Sequence, residues 1–294
     1  MIFIAKDAAE DERLALAAAD ARERDVRRTF HKATGAVVDG TNREELSAAV
    51  LASSETLVER AVPWDIFSEK LFEINFVLTA AASAGIGLAN DISRGRKRIR
   101  ALTDLAPVTQ RAVGIVERQG FEAVKGIADE SRAAVRTILK NGIVTGAHVT
   151  EIADNLTAAI GLNARQAATL AAYQRALMDE GVGAVRRILL VGKRARKMLR
   201  ERADTIARTE VMTAINAGKT EVWNELVDTG AITATEAERV WLTASDERVC
   251  TICGPAHGQR RPLGVPFSVG GMMLMYPSAH PSCRCTVVLR LKTE

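Results

Sequence analysis

Cysteine is missing from the first 249 residues of this 294-residue chain, and only four are present, all from Cys250 onward. So thin a supply excludes a scaffold held together by many disulfides. Aromatic residues are scarce as well, at 4%. With alanine abundant, that scarcity disfavours a sandwich or barrel and favours close-packed helices. The apolar part of Met1–Lys6 is too short for a secretory signal. The uncharged stretch from Phe76 to Asn90 falls short of the roughly 18–20 apolar residues that span a bilayer, so a buried helix is expected there and no membrane partner. The chain is expected to fold in cytoplasm, a reducing compartment where clustered thiols serve metals more often than disulfides.

What is present suits a soluble core: 47% hydrophobic and 26% charged residues, with a net charge of only +4. From Ala8 to about Lys32 there is no Gly or Pro, which predicts a long polar helix broken by Gly35, Gly40 and Asn42. A second helix is predicted over Arg43–Val62 and a third from Pro63, weakened or ended at Gly85-Ile86-Gly87, with Pro107 marking the next start. The stripe Val124, Ile127, Val135, Ile138, Leu139 predicts a helix stopping at Asn141-Gly142. Gly146 should turn the chain into a short helix through Leu156, and Asn163 should cap another reaching Asp179. One or two further helices are expected up to Val227. Near Gly230 the pattern changes. Arg239–Thr243 and Cys285–Leu291 are rich in β-branched or aromatic residues and predict strands. The fold class expected is α+β: a mostly helical body and a small C-terminal α+β module stapled by zinc.

The staple is argued from spacing. Cys250-x2-Cys253 is the spacing of a metal knuckle, and Cys283 and Cys285 would face one side of a strand if they began it. Four thiols complete a tetrahedron; His280 is a fifth candidate, replacing a thiol or supporting the site from behind. Reduced, unliganded thiols and disulfides are the plainer alternatives. A catalytic zinc is disfavoured, because the chain has no His-x-Glu of the deaminase type and no His-Glu-x-x-His. The basic runs Arg94–Arg100 and Arg186–Arg202 could neutralise phosphates, although most such runs are solvated helix faces. Arg208, Thr209, Glu210 and Asn216 form a polar set on one helix. A docking or catalytic cluster is one reading of them; the favoured one is a buried polar network that ties that helix to the tail, through Asp246 or Arg248. His31 and His148 are given no role, and His257 is one ligand more than zinc needs.

Four ordered segments carry a family resemblance. Ile143–Ala153 is similar to a "G-x-S-x-x-E-I-A" turn and helix, and Arg202–Glu210 with Asn216 and Gly218 to "R-A-x-x-I-A-R-T-E…N-x-G". Trp241–Thr243, Asp246, Arg248, Cys250, Cys253 and Gly258 match "W-x-T-x-x-D-x-R-x-C-x-x-C…G", and His280–Cys285 matches "H-P-x-C-R-C". The residue before Gly258 departs from the apolar residue relatives more often carry. Together, over roughly residues 120–290, these segments resemble the phage Mu protein F-like head-morphogenesis (minor capsid) family. The resemblance implies a structural, non-enzymatic protein of a tailed bacteriophage virion, inside the capsid beside the portal protein. Scaffold or major capsid protein and packaged DNA, bound without sequence preference, are further partners it admits. No C-terminal effector domain is expected. A nucleic-acid-binding protein packaged or ejected with the genome is the alternative, and a metal-dependent enzyme comes third. The expected division is an N-terminal helical region over 1–119, the helical part of the head-morphogenesis domain over 120–230, and a Cys/His module with short strands over 231–294.

Overall fold

The computed structural model describes residues 2–94, 102, 104–244 and 249–292. Most of the Arg94–Arg100 cluster, and both Asp246 and Arg248, fall outside those residues. Nine helices are described: α1 (Ile2–Gly40), α2 (Arg43–Leu51), α3 (Glu55–Ala61), α4 (Trp64–Phe72), α5 (Ile74–Arg94), α6 (Ala106–Thr145), α7 (Val149–Ala159), α8 (Ala164–Asp179) and α9 (Ala184–Asp228). Five strands follow: β1 (Ala237–Leu242), β2 (Arg260–Pro262), β3 (Phe267–Val269), β4 (Met272–Leu274) and β5 (Thr286–Leu291). The class is α+β, a mostly helical body with a small C-terminal β module, as the composition predicted.

Several helix ends follow the local chemistry. The Asn42 side chain accepts from the N–H groups of Glu44 and Glu45 at the start of α2. Asn163 and Gln166 form a reciprocal capping box at α8. Gly146, at φ +61°, ends α6. The Ala147 N–H donates to the Gly142 carbonyl at 3.1 Å, which satisfies an otherwise open acceptor.

Other glycines do not act as breaks, and there the expectations are corrected. Gly35 lies inside α1, Gly85 and Gly87 inside α5, and Gly142 inside α6. A mid-helix glycine costs only about 1 kcal/mol relative to alanine, which tertiary packing easily outweighs. The predicted 43–62 helix is instead two, separated where Ser53 takes φ +50° and Ser54 caps α3. The residues after Gly183 form one helix of 45 residues. The length expectation for Phe76–Asn90 is also corrected. The helical run Trp64–Asp91 reaches membrane-spanning length and apolarity by composition, a test that core helices pass too, and 44% of its most apolar window is buried.

By contacts the chain groups into two compact units, residues 1–26, 74–120 and 204–294 in the first and residues 27–73 and 121–203 in the second. This grouping follows contacts rather than chain order, so α1, α6 and α9 each contribute to both units. The first unit's core includes a tight crossing of α5 and α9. A methyl group built on Gly85 would sit 2.1 Å from the Ile215 carbonyl oxygen, and one on Gly218 would sit 2.1 Å from that of Ala82. The same unit carries an antiparallel sheet of order β2-β1-β5, with Trp241 opposite Val287, and the separate β3–β4 hairpin.

The second unit is organised around Glu151, which is 1% exposed. Its carboxylate accepts from Arg187 Nε at 2.9 Å and Nη2 at 2.6 Å, and from Gln174 at 3.1 Å. Gln174 in turn accepts from Asn141, so α6, α7, α8 and α9 share one buried polar network. The Arg187 guanidinium holds the Glu151 carboxyl below the usual carboxylate range. Arg202 is buried too, donating to the Gly161 carbonyl at 2.8 Å and pairing with Glu130 at 2.8 Å.

Candidate metal centre and the helix that holds it

Cys250 and Cys253 sit in a tight turn. The Cys253 N–H donates to Cys250 Sγ at 3.3 Å and the Gly254 N–H to the Cys250 carbonyl at 2.9 Å, which brings both sulfurs to one side. The second half is a β-turn, closed by the Cys283 N–H donating to the His280 carbonyl at 3.1 Å. Pro281 supplies the fixed φ of its second position, and Ser282, at φ +62°, occupies the third. That combination defines a type II turn, where glycine is the usual third residue. Both Cys283 and Cys285 precede β5, which begins at Thr286. Strand alternation therefore does not aim these sulfurs; the turn does.

The turns bring all five predicted donors together as two overlapping triads: Cys250, Cys253 and His280, and Cys253, Cys283 and Cys285. Within each triad the ligand atoms lie within 4.8 Å of one another, and Cys253 is common to both. Four Zn–S bonds of about 2.3 Å in a tetrahedron would put sulfurs about 3.8 Å apart. Cys253 and Cys283 Sγ are 3.9 Å apart. His280 Nε2 lies 3.0 Å from Cys250 Sγ and 3.2 Å from Cys253 Sγ. Its Nδ1 is 2.8 Å from the Pro281 carbonyl oxygen. A proton on Nδ1 donates there and leaves the Nε2 lone pair facing the thiols, the tautomer a metal ligand needs. The donors fit a metal ion.

The thiols perturb one another strongly. A hydrogen bond from Cys285 is the main cause holding Cys283 well down, to about 5, in the thiolate range. The same contact with Cys283 pushes Cys285 far up, with burial adding to it. Burial, then the neighbouring Cys283, push Cys253 up to about 12. At Cys250 burial works to raise the thiol, but the backbone N–H groups of Cys253 and Ile252 outweigh it and lower it. Burial works to lower His280, whereas the Pro281 carbonyl and the Cys283 and Cys250 sulfurs raise it.

One face of α9 grips this loop. Thr209 Oγ1 accepts from the Ser282 N–H at 2.8 Å, directly supporting the positive-φ residue, and the Thr209 carbonyl accepts from Ser278 Oγ at 3.3 Å. Asn216 is fully buried. Its Nδ2 donates to the Cys285 carbonyl at 3.2 Å, while its Oδ1 accepts from the Thr286 hydroxyl at 2.9 Å and the Val287 N–H at 3.1 Å. The polar set on α9 thus ties the helix to the tail, through Ser278, Ser282, Cys285, Thr286 and Val287 among the described residues. Two members lie apart from this grip. Arg208 pairs with Glu23 at 3.8 Å. Glu210 has no partner among the described residues, and burial pushes its carboxyl up to about 7 although the residue keeps some exposure.

Two buried cations escaped the sequence reading. Lys219 Nζ donates to Thr286 Oγ1 at 3.1 Å and lies 5.9 Å from the Trp223 ring centroid; burial lowers it to about 8. Arg239 donates to the carbonyls of Met275 and Val265 at 2.5 and 2.6 Å, pinning the hairpin segment. The period-two alternation of β1 placed it inward with Ala237 and Trp241, a signal available in advance. His257 is engaged elsewhere: its Nδ1 meets the Thr243 N–H at 3.2 Å and hydroxyl at 2.8 Å. His148 caps α7 by accepting from the Thr150 N–H.

A helical body whose last long helix clamps a Cys/His-rich β tail is the class of protein that this fold and site define. The family model described as Phage Mu protein F like protein matches residues 133–288, more than half of the chain. The chain belongs to that family. Membership makes it a bacteriophage head-morphogenesis protein, associated with the capsid and with other virion proteins. No curated protein and no solved structure matches it.

Proposed function

We propose that the chain is a structural, non-enzymatic minor protein of the phage head, seated inside the capsid next to the portal protein, with a C-terminal segment stapled by zinc. The observation that carries this reading is what the shared motif residues do. Glu151 is held by Arg187, Thr209 by Ser282, and Asn216 by Cys285, Thr286 and Val287. Side chains engaged in holding elements together are not available as a nucleophile and its base. Cys250, Cys253, His280 and Cys283 are the proposed zinc ligands. Cys283 is preferred to Cys285 because its sulfur stands at a tetrahedral edge length from Cys253. A closed set of this kind contributes folding energy rather than an open coordination position.

Within Arg186–Arg202, Arg187 pairs with the buried Glu151, the buried Arg202 pairs with the exposed Glu130, and Arg194 stacks on Tyr173 at 4.5 Å. That shortens the face left for phosphates, so a DNA-binding role is the weaker reading. Cryo-electron microscopy of the virion portal region is the test. Density for this chain on the capsid side of the portal would support the proposal, and its absence from mature and immature heads would reject it. Hydrolase activity of the pure protein that Cys250→Ser abolished with folding intact would overturn the non-enzymatic part.

A further inference from the structure

The second unit contains a groove of about 660 Å³ bordered by α1, α7 and the first half of α9. It runs along α9 from Ile188 to Arg200, a path of about 18 Å at 1.5 Å per residue. Its floor and walls are apolar, with Ile160 and Ala195 buried, Ile188 and Leu199 half-buried, and Leu189 at the mouth 67% exposed. Two glycines keep the walls low. A methyl group on Gly35 would meet nothing within 4 Å, and one on Gly192 only the Arg196 guanidinium at 3.6 Å. Gly35 thus has a role as a bare stretch of wall.

The rim has a sign. Arg196 and Arg200, one helical turn apart on α9, line the groove, and neither has an ion-pair partner among the described residues. Lys193 and Lys197 lie exposed on the same helix. The one carboxylate lining the groove, Asp154, already pairs with Arg43 at 2.5 Å, and His31 is the remaining titratable group there. We propose that this groove binds an acidic amphipathic helix of a partner protein, about three turns long, with its apolar ridge on the floor and its carboxylates on Arg196 and Arg200. Length and openness favour a helix over a compact small molecule, because helix-in-groove recognition reads apolar anchors at i, i+3/4 and i+7. The basic rim selects the acidic flank. The groove is built entirely from second-unit residues and does not depend on the metal centre.

The test is fluorescence anisotropy of the full chain with a labelled peptide of about 15 residues, carrying Leu at helical i, i+3/4, i+7 and i+11 positions and Glu along one flank. A sister peptide carries Lys in place of Glu. The acidic peptide should bind at least about tenfold more tightly than the basic one, and Arg196→Glu with Arg200→Glu should reverse that order. Gly192→Leu and, from the opposite wall, Gly35→Leu should each weaken binding by about tenfold or more, with helical circular dichroism and melting retained, since both replace a helical glycine with a better helix former. Binding of neither peptide would overturn the proposal, as would undiminished binding to both filled variants. Palmitate or phosphatidylglycerol vesicles binding in a Gly192→Leu-sensitive way while the peptides do not would also overturn it, pointing to an acyl-chain site.

Discussion

Gly218 of α9 lies so close to α5 that a methyl group built on it would sit 2.1 Å from the carbonyl oxygen of Ala82, and Gly85 repeats the contact against Ile215. The two helices touch backbone to backbone. On the same helix, Asn216 two residues away and Thr209 nine residues away hold the cysteine loop, so the crossing sets where that grip falls.

Replacing Gly218 by alanine should therefore force the helices apart. Overpacking of this kind costs about 1–3 kcal/mol, and with backbone as the obstacle the upper end is expected. Gly85→Ala should cost a similar amount. Because both act on one crossing, the double variant should lose less than the sum. Urea denaturation followed by circular dichroism measures all three; a neutral Gly218→Ala would show that the crossing is looser than described.

Asn216→Ala leaves the Cys285 carbonyl, the Val287 N–H and the Thr286 hydroxyl buried without this partner. Unsatisfied buried groups cost about 1–3 kcal/mol each, so a total loss near 3 kcal/mol is expected. The β5 segment should also become susceptible to limited proteolysis before the second unit does. Cleavage at wild-type rates would mean that the tail is held by other contacts.

Zinc retention separates the five donors. Protein purified under reducing conditions should carry one equivalent by elemental analysis. Serine at Cys250, Cys253 or Cys283, or alanine at His280, should abolish it, and Cys285→Ser should keep it. Loss of zinc in Cys285→Ser with retention in Cys283→Ser would exchange those two assignments. Acidification should release the metal as the ligands take up protons.

Two carboxylates should respond to pH with opposite sign. Glu151 has a depressed folded-state pKa, caused first by Arg187. Its stabilisation is present above the unfolded value near 4.5 and is lost as pH falls through the folded one. Glu210 is raised to about 7 by burial. Its contribution is present below about pH 4.5 and disappears as pH rises through 7. Glu210→Gln should thus leave stability at pH 4.5 nearly unchanged and raise it at pH 8 by about 1–2 kcal/mol, discounted for partial exposure. Glu151→Gln should flatten the acid limb of the curve. Denaturant melts from pH 3.5 to 8.5 would show both, and a flat Glu210 difference would mean its carboxyl is solvated.

Much of the site was legible in the residues. The Cys-x2-Cys and His-Pro-Ser-Cys-Arg-Cys spacings picked out the five side chains that the fold brings together, and the polar set on α9 pointed to the tie to the tail. The reason expected for Cys283 and Cys285 was a strand, whereas a type II turn with a positive-φ serine aims them. That turn depends on Thr209, 73 residues earlier, a partner that local spacing does not reveal. The glycines misled for a related reason. Gly85 and Gly142 read as local breaks, yet Gly85 is where α9 crosses, and a methyl group on Gly142 would press 2.6 Å from the Ile152 side chain.

The sequence by itself determined the helical character of the body, the break at Asn42, the cap at Asn163, the β-rich tail and the family, because these rest on short-range propensity, capping chemistry and ordered motifs. Only the tertiary structure decided which sulfurs stand together, that Thr209 and Asn216 are the clamp, that Gly35 and Gly192 open a groove, and that Arg196 and Arg200 edge it. Those features arise from helices packing side by side across dozens of intervening residues, and no local pattern encodes the distance between them.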